Sequence, residues 1–370
     1  MNKYFVILII WGISNIFGQS NQAKIDSLLA LDRDSPAEQV RIFSELSVLY
    51  TSIDFNKAFK YAKSAHEIAV YSEDFHSATK QYITISKLYY NRQMYDSAIV
   101  YLKATFDYFK WFNDKKLIAL VYTQLGLNHE RFYDYSKANE FHFSALKFSR
   151  DVRDSIGIAS SLNNLGLNNW RTGNYQEAER YYLQALGIRK RLNQYKALSI
   201  TYNNLGVLHW NWGNYFKALK FYLDALDLKE KSKDSTGLIL TNNNIGMLYQ
   251  KFGDLDKTKY YYFKSLELSE KINYRFGLAY SNENIGTYCM EQKIYNEADN
   301  YFQKALEIYK EIGHKNGQSN VYNSLGKLYF ILAKYNEALN FHLSAYKLAA
   351  EASDKKAMVL SLNNLGKTYN

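Results

Sequence analysis

The chain has 370 residues, 47% hydrophobic and 22% charged, with a formal charge of +10 and one proline. That balance excludes an intrinsically disordered chain, and a single proline leaves long helices unbroken. Much of the basic excess lies in runs such as Ile188–Arg191 and Lys229–Lys233, at expected helix ends where cations suit the helix dipole, so no nucleic-acid partner is expected.

The first element is an export signal, residues 1–20. Lys3 supplies the positive charge, Phe5–Trp11 the apolar stretch, and cleavage near Gly18 to Ser20 fits the small residues there. The apolar run is too short to span a bilayer comfortably. The expected location is therefore the periplasm or cell envelope. Cys289, the only cysteine, can form no internal disulfide. Residues 21–38 form a leader and the start of a first helix, with Ser35 as N-cap, Pro36 as first helical residue and Glu38 as reciprocal cap.

From residue 39 the sequence repeats. Gly126, Gly166, Gly206, Gly246, Gly286, Gly326 and Gly366 stand forty residues apart, each preceded by Leu or Ile. Tyr175, Tyr215, Tyr295 and Tyr335 mark a turn, and Ala178, Ala218, Ala298 and Ala338 follow three residues later. Each unit reads as two helices. Tyr202, Leu205, Gly206 and His209 share one face of a first helix, and Ala218, Tyr222, Ala225 and Leu226 line a second. A helical glycine costs up to about 1 kcal/mol relative to alanine, so seven at one register imply compensation, expected as close approach of two helix backbones. Asp154, Asp234 and Asp354 are placed to cap the following first helices.

YNSLGKLY (Tyr322–Tyr329) with Ala338 and His342, and YNNLGVLH (Tyr202–His209) with Ala218 and Tyr222, resemble the tetratricopeptide repeat signature Trp-x-x-Leu-Gly-x-x-Tyr, Ala-x-x-x-Phe. The unit is forty residues instead of thirty-four, and the closing proline is absent. Longer units of this kind are similar to those of kinesin light chains, cell-polarity scaffolds and bacterial peptide-pheromone receptors. The resemblance implies an all-α fold, a right-handed α-solenoid, or superhelix, of helix–turn–helix repeats. Eight helix pairs are expected over residues 39–357, and residues 358–370 form the first helix of a ninth, incomplete unit.

No enzymatic chemistry is expected. Gly366-Lys367-Thr368 imitates the end of a phosphate loop, but Ser361 stands where its first glycine belongs. His129 and His209 share a slot with Tyr249, Cys289 and Tyr329, while His142 and His342 share one with Tyr182, Tyr222 and Phe302. They read as packing residues, and no metal-ligand spacing exists. Cys289 reads as a small core residue. Neither metal nor cofactor is expected.

At 100° per residue, the side of the first helix opposite the packing face is centred on Val207 and flanked by Asn203, Asn204 and Trp210. In tetratricopeptide arrays this side lines the concave surface. Its central slot holds Leu167, Val207 and Met247, with Lys327 and Lys367 only towards the C-terminal end, and the slot beside it holds Trp170 and Trp210. Asn163, Asn203, Asn243 and Asn323 form one amide column; Asn164, Asn204, Asn244 and Asn284 form another. An amide offers donor and acceptor together and can pair with any extended main chain, while one member of each adjacent pair is expected to bridge neighbouring repeats. The expected function is an exported, non-catalytic scaffold binding an extended protein or peptide segment in this groove. The half-built ninth unit motivates an alternative: the sensor or interaction region of a larger membrane signalling protein, a histidine kinase or transcriptional regulator, with a membrane-linked effector as partner.

Overall fold

The computed structural model describes residues 21–31, 34–352 and 354–369; the expected export signal lies outside them. Helix α1 (residues 21–29) is followed by α2 (Pro36–Tyr50), α3 (Phe55–Tyr71), α4 (Phe75–Asn91), α5 (Tyr95–Ala104), α6 (Lys115–Arg131), α7 (Tyr135–Asp151), α8 (Ser155–Arg171) and α9 (Tyr175–Arg191). Next come α10 (Tyr195–Asn211), α11 (Tyr215–Lys231), α12 (Ser235–Phe252), α13 (Leu255–Lys271), α14 (Arg275–Glu291), α15 (Tyr295–Glu311), α16 (Lys315–Ile331), α17 (Tyr335–Glu351) and α18 (Lys355–Tyr369). The described residues contain no strand. From α2 on, helices pair as antiparallel hairpins, the α-solenoid class of helix–turn–helix repeats.

The described residues divide into two compact units, one ending at Ile188 and the other beginning at Arg189. In the first, α1 covers the opening hairpin: Ile25 and Leu28 are buried with Ile42, Leu46 and Tyr50. Helix α2 begins at Pro36, inside the expected leader, capped by the Ser35 hydroxyl, which accepts from the Glu38 amide at 3.3 Å. The reciprocal half of the cap differs from expectation, since the Glu38 carboxylate accepts from the Ser35 hydroxyl and not from its backbone. The second helix of the second hairpin is broken, with Thr105–Trp111 wound as a 3₁₀ helix. Thr105 stands where Ala145 and Ala185 stand in later hairpins, and its buried hydroxyl donates to the Leu102 carbonyl at 2.6 Å. Such back-bonding competes with the α-helical ladder.

The glycine register has a different cause from the one expected. A Cβ at Gly166 would lie 2.7 Å from the Tyr182 ring, and one at Gly286 would lie 2.7 Å from the Phe302 ring. Gly126, Gly206, Gly246 and Gly326 face His142, Tyr222, Tyr262 and His342 in the same way. Each glycine seats a buried ring of the second helix, sixteen residues on, in place of a backbone–backbone contact with small alanines. The ring burial offsets the glycine's helix cost. A second glycine column works between hairpins: Gly317 admits the Tyr309 ring, which a Cβ would meet at 2.6 Å. Of the three expected caps, Asp234 accepts from the Gly237 amide and Asp354 from the Ala357 amide, whereas Asp154 makes no side-chain cap bond.

Candidate functional site

The candidate site is the face that the first helices of successive hairpins present side by side. In the second unit, one amide column works inside the stack. Asn243 Nδ2 donates to Ser265 Oγ at 2.6 Å and Ser281 Oγ at 3.1 Å, while its Oδ1 accepts from Asn284 Nδ2 at 3.0 Å. Asn323 repeats the arrangement, donating to Ser361 Oγ at 2.9 Å and accepting from Asn364 Nδ2 at 3.2 Å. His342 Nδ1 also reaches Asn323 Oδ1 at 3.2 Å; burial pushes its imidazole down to about 4, so the ring is neutral. Each clasp ties one first helix to the next across forty-one residues. Asn243, Asn284 and Asn323, expected among the ligand-facing amides, are buried and join helices instead. Two bonded amides out of water hold each other better than they could hold a solvated ligand.

The neighbouring seam, between α10 and α12, lacks the clasp. Ala225 stands where Ser265 stands, and the Thr241 hydroxyl is engaged by Lys229 Nζ at 2.6 Å. The Asn203 Oδ1 is buried without a hydrogen-bond partner, although Asn244 stands where Asn284 stands in the clasp. Asn244 is half-buried, and no hydrogen bond of its amide is seen among the described residues. Asn204 is half-buried and engaged. In the first unit, Asn163 is buried and engaged, whereas Asn164, Leu167 and Trp170 are half-buried.

The apolar residues expected in the groove of the second unit are half-buried: Val207 and Trp210 pack on the core of Tyr222, Leu226, Ile245 and Leu248, and Met247 on the core that includes Tyr262 and Ile285. Trp210 and Met247 line a cavity of about 380 Å³ together with Gln250, Lys251, Tyr262, Asn284, Thr287 and Glu291, so one cation and one carboxylate face it. A hydrogen-bonded chain fixes one wall: Tyr262 donates to Gln250 Oε1 at 2.6 Å, and Gln250 Nε2 donates to Glu291 Oε2 at 2.6 Å. Larger hollows exist elsewhere, about 750 Å³ beside Leu28 and Val48 and about 740 Å³ along α13 beside Tyr260 and Phe263. The second is lined by α13 alone and carries no convergent polar set. The smaller cavity combines apolar walls with polar groups from several helices, the usual composition of a binding site.

Besides the exposed Glu291 in the cavity, two less exposed carboxylates belong to the same face. In the first unit Glu130 is buried, receives Arg171 Nη1 at 3.4 Å, and lies 3.0 Å from His142 Nε2. In the second, Glu283 accepts from the Tyr309 hydroxyl at 3.0 Å, and burial pushes its carboxyl up to about 7. Sequence inspection overlooked Glu283, although it interrupts the asparagine column at the expected register and could have been found by that gap. The tyrosine beneath it comes from the second helix and had no sequence signal. Among the described residues no group of three or more His, Cys, Asp or Glu could hold a metal ion, and no helix is long and apolar enough to cross a membrane. Cys289 is buried, and burial pushes its thiol up to about 11.

A tetratricopeptide repeat family model matches residues 157–231, 237–311 and 277–351, together just over half of the chain. No curated protein matches. Among solved structures, the apo form of the quorum sensor NprR from B. thuringiensis is similar at 19% identity, with a TM-score of 0.65 over 93% of this chain and 95% of its own. Aspartyl phosphate phosphatase F from Bacillus subtilis gives 13% identity and a TM-score of 0.65 over 94% and 92%. The Rap conjugation gene regulator of plasmid pLS20, solved in complex with the Phr* peptide, gives 12% identity and a TM-score of 0.56 over 86% and 97%. At these identities the likeness is one of fold.

Proposed function

The chain belongs to the tetratricopeptide repeat family, and on that footing we propose that it is a non-catalytic scaffold whose second unit grips an extended peptide or protein segment. The observation that carries this reading is the α10–α12 seam. There Asn203 and Asn244 stay outside any clasp, on the two helices that also carry the cavity residues Trp210 and Met247. An extended main chain presents alternating donors and acceptors, the groups an unclasped amide lacks. The neighbour solved with a peptide supports the same reading by analogy of fold. The test is selection of a library of short random peptides against the intact chain. Binders are expected, and Asn203→Ala with Asn244→Ala together should weaken them about tenfold or more, equivalent to roughly 1.4 kcal/mol, without altering helicity by circular dichroism. Undiminished binding by the double variant would remove the amides from the site.

The apolar Phe5–Trp11 stretch behind Lys3 supports export to the cell envelope. N-terminal sequencing of protein recovered from its native cells should find a new terminus near Gly18 to Ser20; an intact Met1 would contradict export.

A further inference from the structure

Glu283 stands at the clasp position of the third first-helix in the second unit, yet nothing opposite can complete a clasp. Ala305 replaces the serine seen at Ser265, Val321 replaces Ser281, and Ser324 replaces Asn284. The seam is correspondingly looser, with α14 and α16 packed less closely than the clasped pairs α12–α14 and α16–α18. The carboxylate in this opening has one hydrogen bond, from the Tyr309 hydroxyl at 3.0 Å, and no cation pairs with it among the described residues. Glu130, the buried carboxylate of the first unit's face, is answered by Arg171 and faces His142, while Glu291 in the cavity is exposed and bonded to Gln250. One buried charge is thus compensated by the chain, and the other is left for something else.

Keeping a partly buried carboxylate without a counter-charge costs folding free energy, and neutral amides at the same register elsewhere show that the fold does not require it. Glu283 does not line the cavity itself but shares α14 with residues that do. Asn284 and Thr287 on the same helix line it, and the Tyr280 hydroxyl, one turn before Glu283, donates to the Met247 sulphur at 3.6 Å. Gly317 matters here, because the space it leaves lets the Tyr309 ring lie where its hydroxyl can orient the carboxylate.

We propose that Glu283 reads charge in the groove: the bound segment carries an arginine or lysine side chain that pairs with Glu283 while its main chain passes Asn244 and Trp210. This rests on the groove reading above and narrows it to a basic partner. A guanidinium or ammonium supplies the missing counter-charge, and desolvated pairs of this kind discriminate strongly between partners.

The experiment uses the same selection of short random peptides on the intact chain. Binders to the wild type should share a basic residue at one register. Replacing that arginine by citrulline, its uncharged isostere, should weaken wild-type binding about tenfold or more. Against Glu283→Gln the same replacement should change affinity less than about twofold, because the charge partner is already gone. The glutamine still accepts from Tyr309, and helicity confirms that the variant folds. Tyr309→Phe, which removes no charge, should keep the basic preference. Binders without a shared basic residue, or an equal citrulline effect in both proteins, would overturn the assignment and leave the groove reading standing. A library that yields no binder at all would overturn both.

Discussion

At Gly286 a methyl group separates two outcomes that helix propensity alone would confuse. Gly286→Ala adds a Cβ 2.7 Å from the buried Phe302 ring, whereas Gly366→Ala adds one where nothing lies within 4 Å. The first should destabilise by about 1–3 kcal/mol through overpacking. The second should be neutral or stabilise by up to about 1 kcal/mol through helix propensity. Thermal melts of the two variants check this, and equal effects would refute the ring-seating account. Glu283 gives the pH counterpart. Its carboxyl is raised from 4.5 to about 7, so between those values the folded state binds more protons than the unfolded chain. Stability is therefore full below the lower value, falls as pH rises through the upper one, and stays lower above it. Glu283→Gln should flatten this part of the profile and gain about 1–3 kcal/mol at pH 8 relative to wild type. An unchanged melting profile across that window would show that the carboxylate is better solvated than its burial implies.

Between helices, the clasps decide which seams are fixed. Asn243→Ala leaves Ser281 and Asn284 without their shared partner and should cost about 2 kcal/mol or more, seen as faster amide exchange in α12 and α14. Asn244→Ala, one residue on, should stay within about 0.5 kcal/mol of wild type, since no bond of its side chain is seen in the stack. The helices, their turns and the forty-residue step were legible from sequence because apolar spacing and turn residues are local signals. The division of labour between adjacent asparagines was legible only in part. Two amides about 100° apart can be told from each other by angle, but which one is clasped depends on the residue forty positions on and on the facing second helix. Ser265 and Ser281 make Asn243 a tie, while Ala225 and an engaged Thr241 leave Asn203 unclasped. The ring under each glycine was similarly hidden, since its partner lies on another helix.

Across the whole molecule, the two units share the hairpin but differ in the face they offer. In the first, Glu130 is compensated by the chain's own Arg171. In the second, unclasped amides, a cavity of about 380 Å³ and an uncompensated Glu283 all lie within α10 to α15. Binding is therefore expected on the second unit, at its first helices and not on the outer surface of α13. The most direct measurement is the affinity of one selected peptide for Trp210→Ala, on the groove, and for Phe263→Ala, on the larger α13 hollow. A groove-held peptide loses about tenfold or more with the tryptophan variant and less than about twofold with the phenylalanine variant. The reverse order would place the ligand on the second helices and contradict the account.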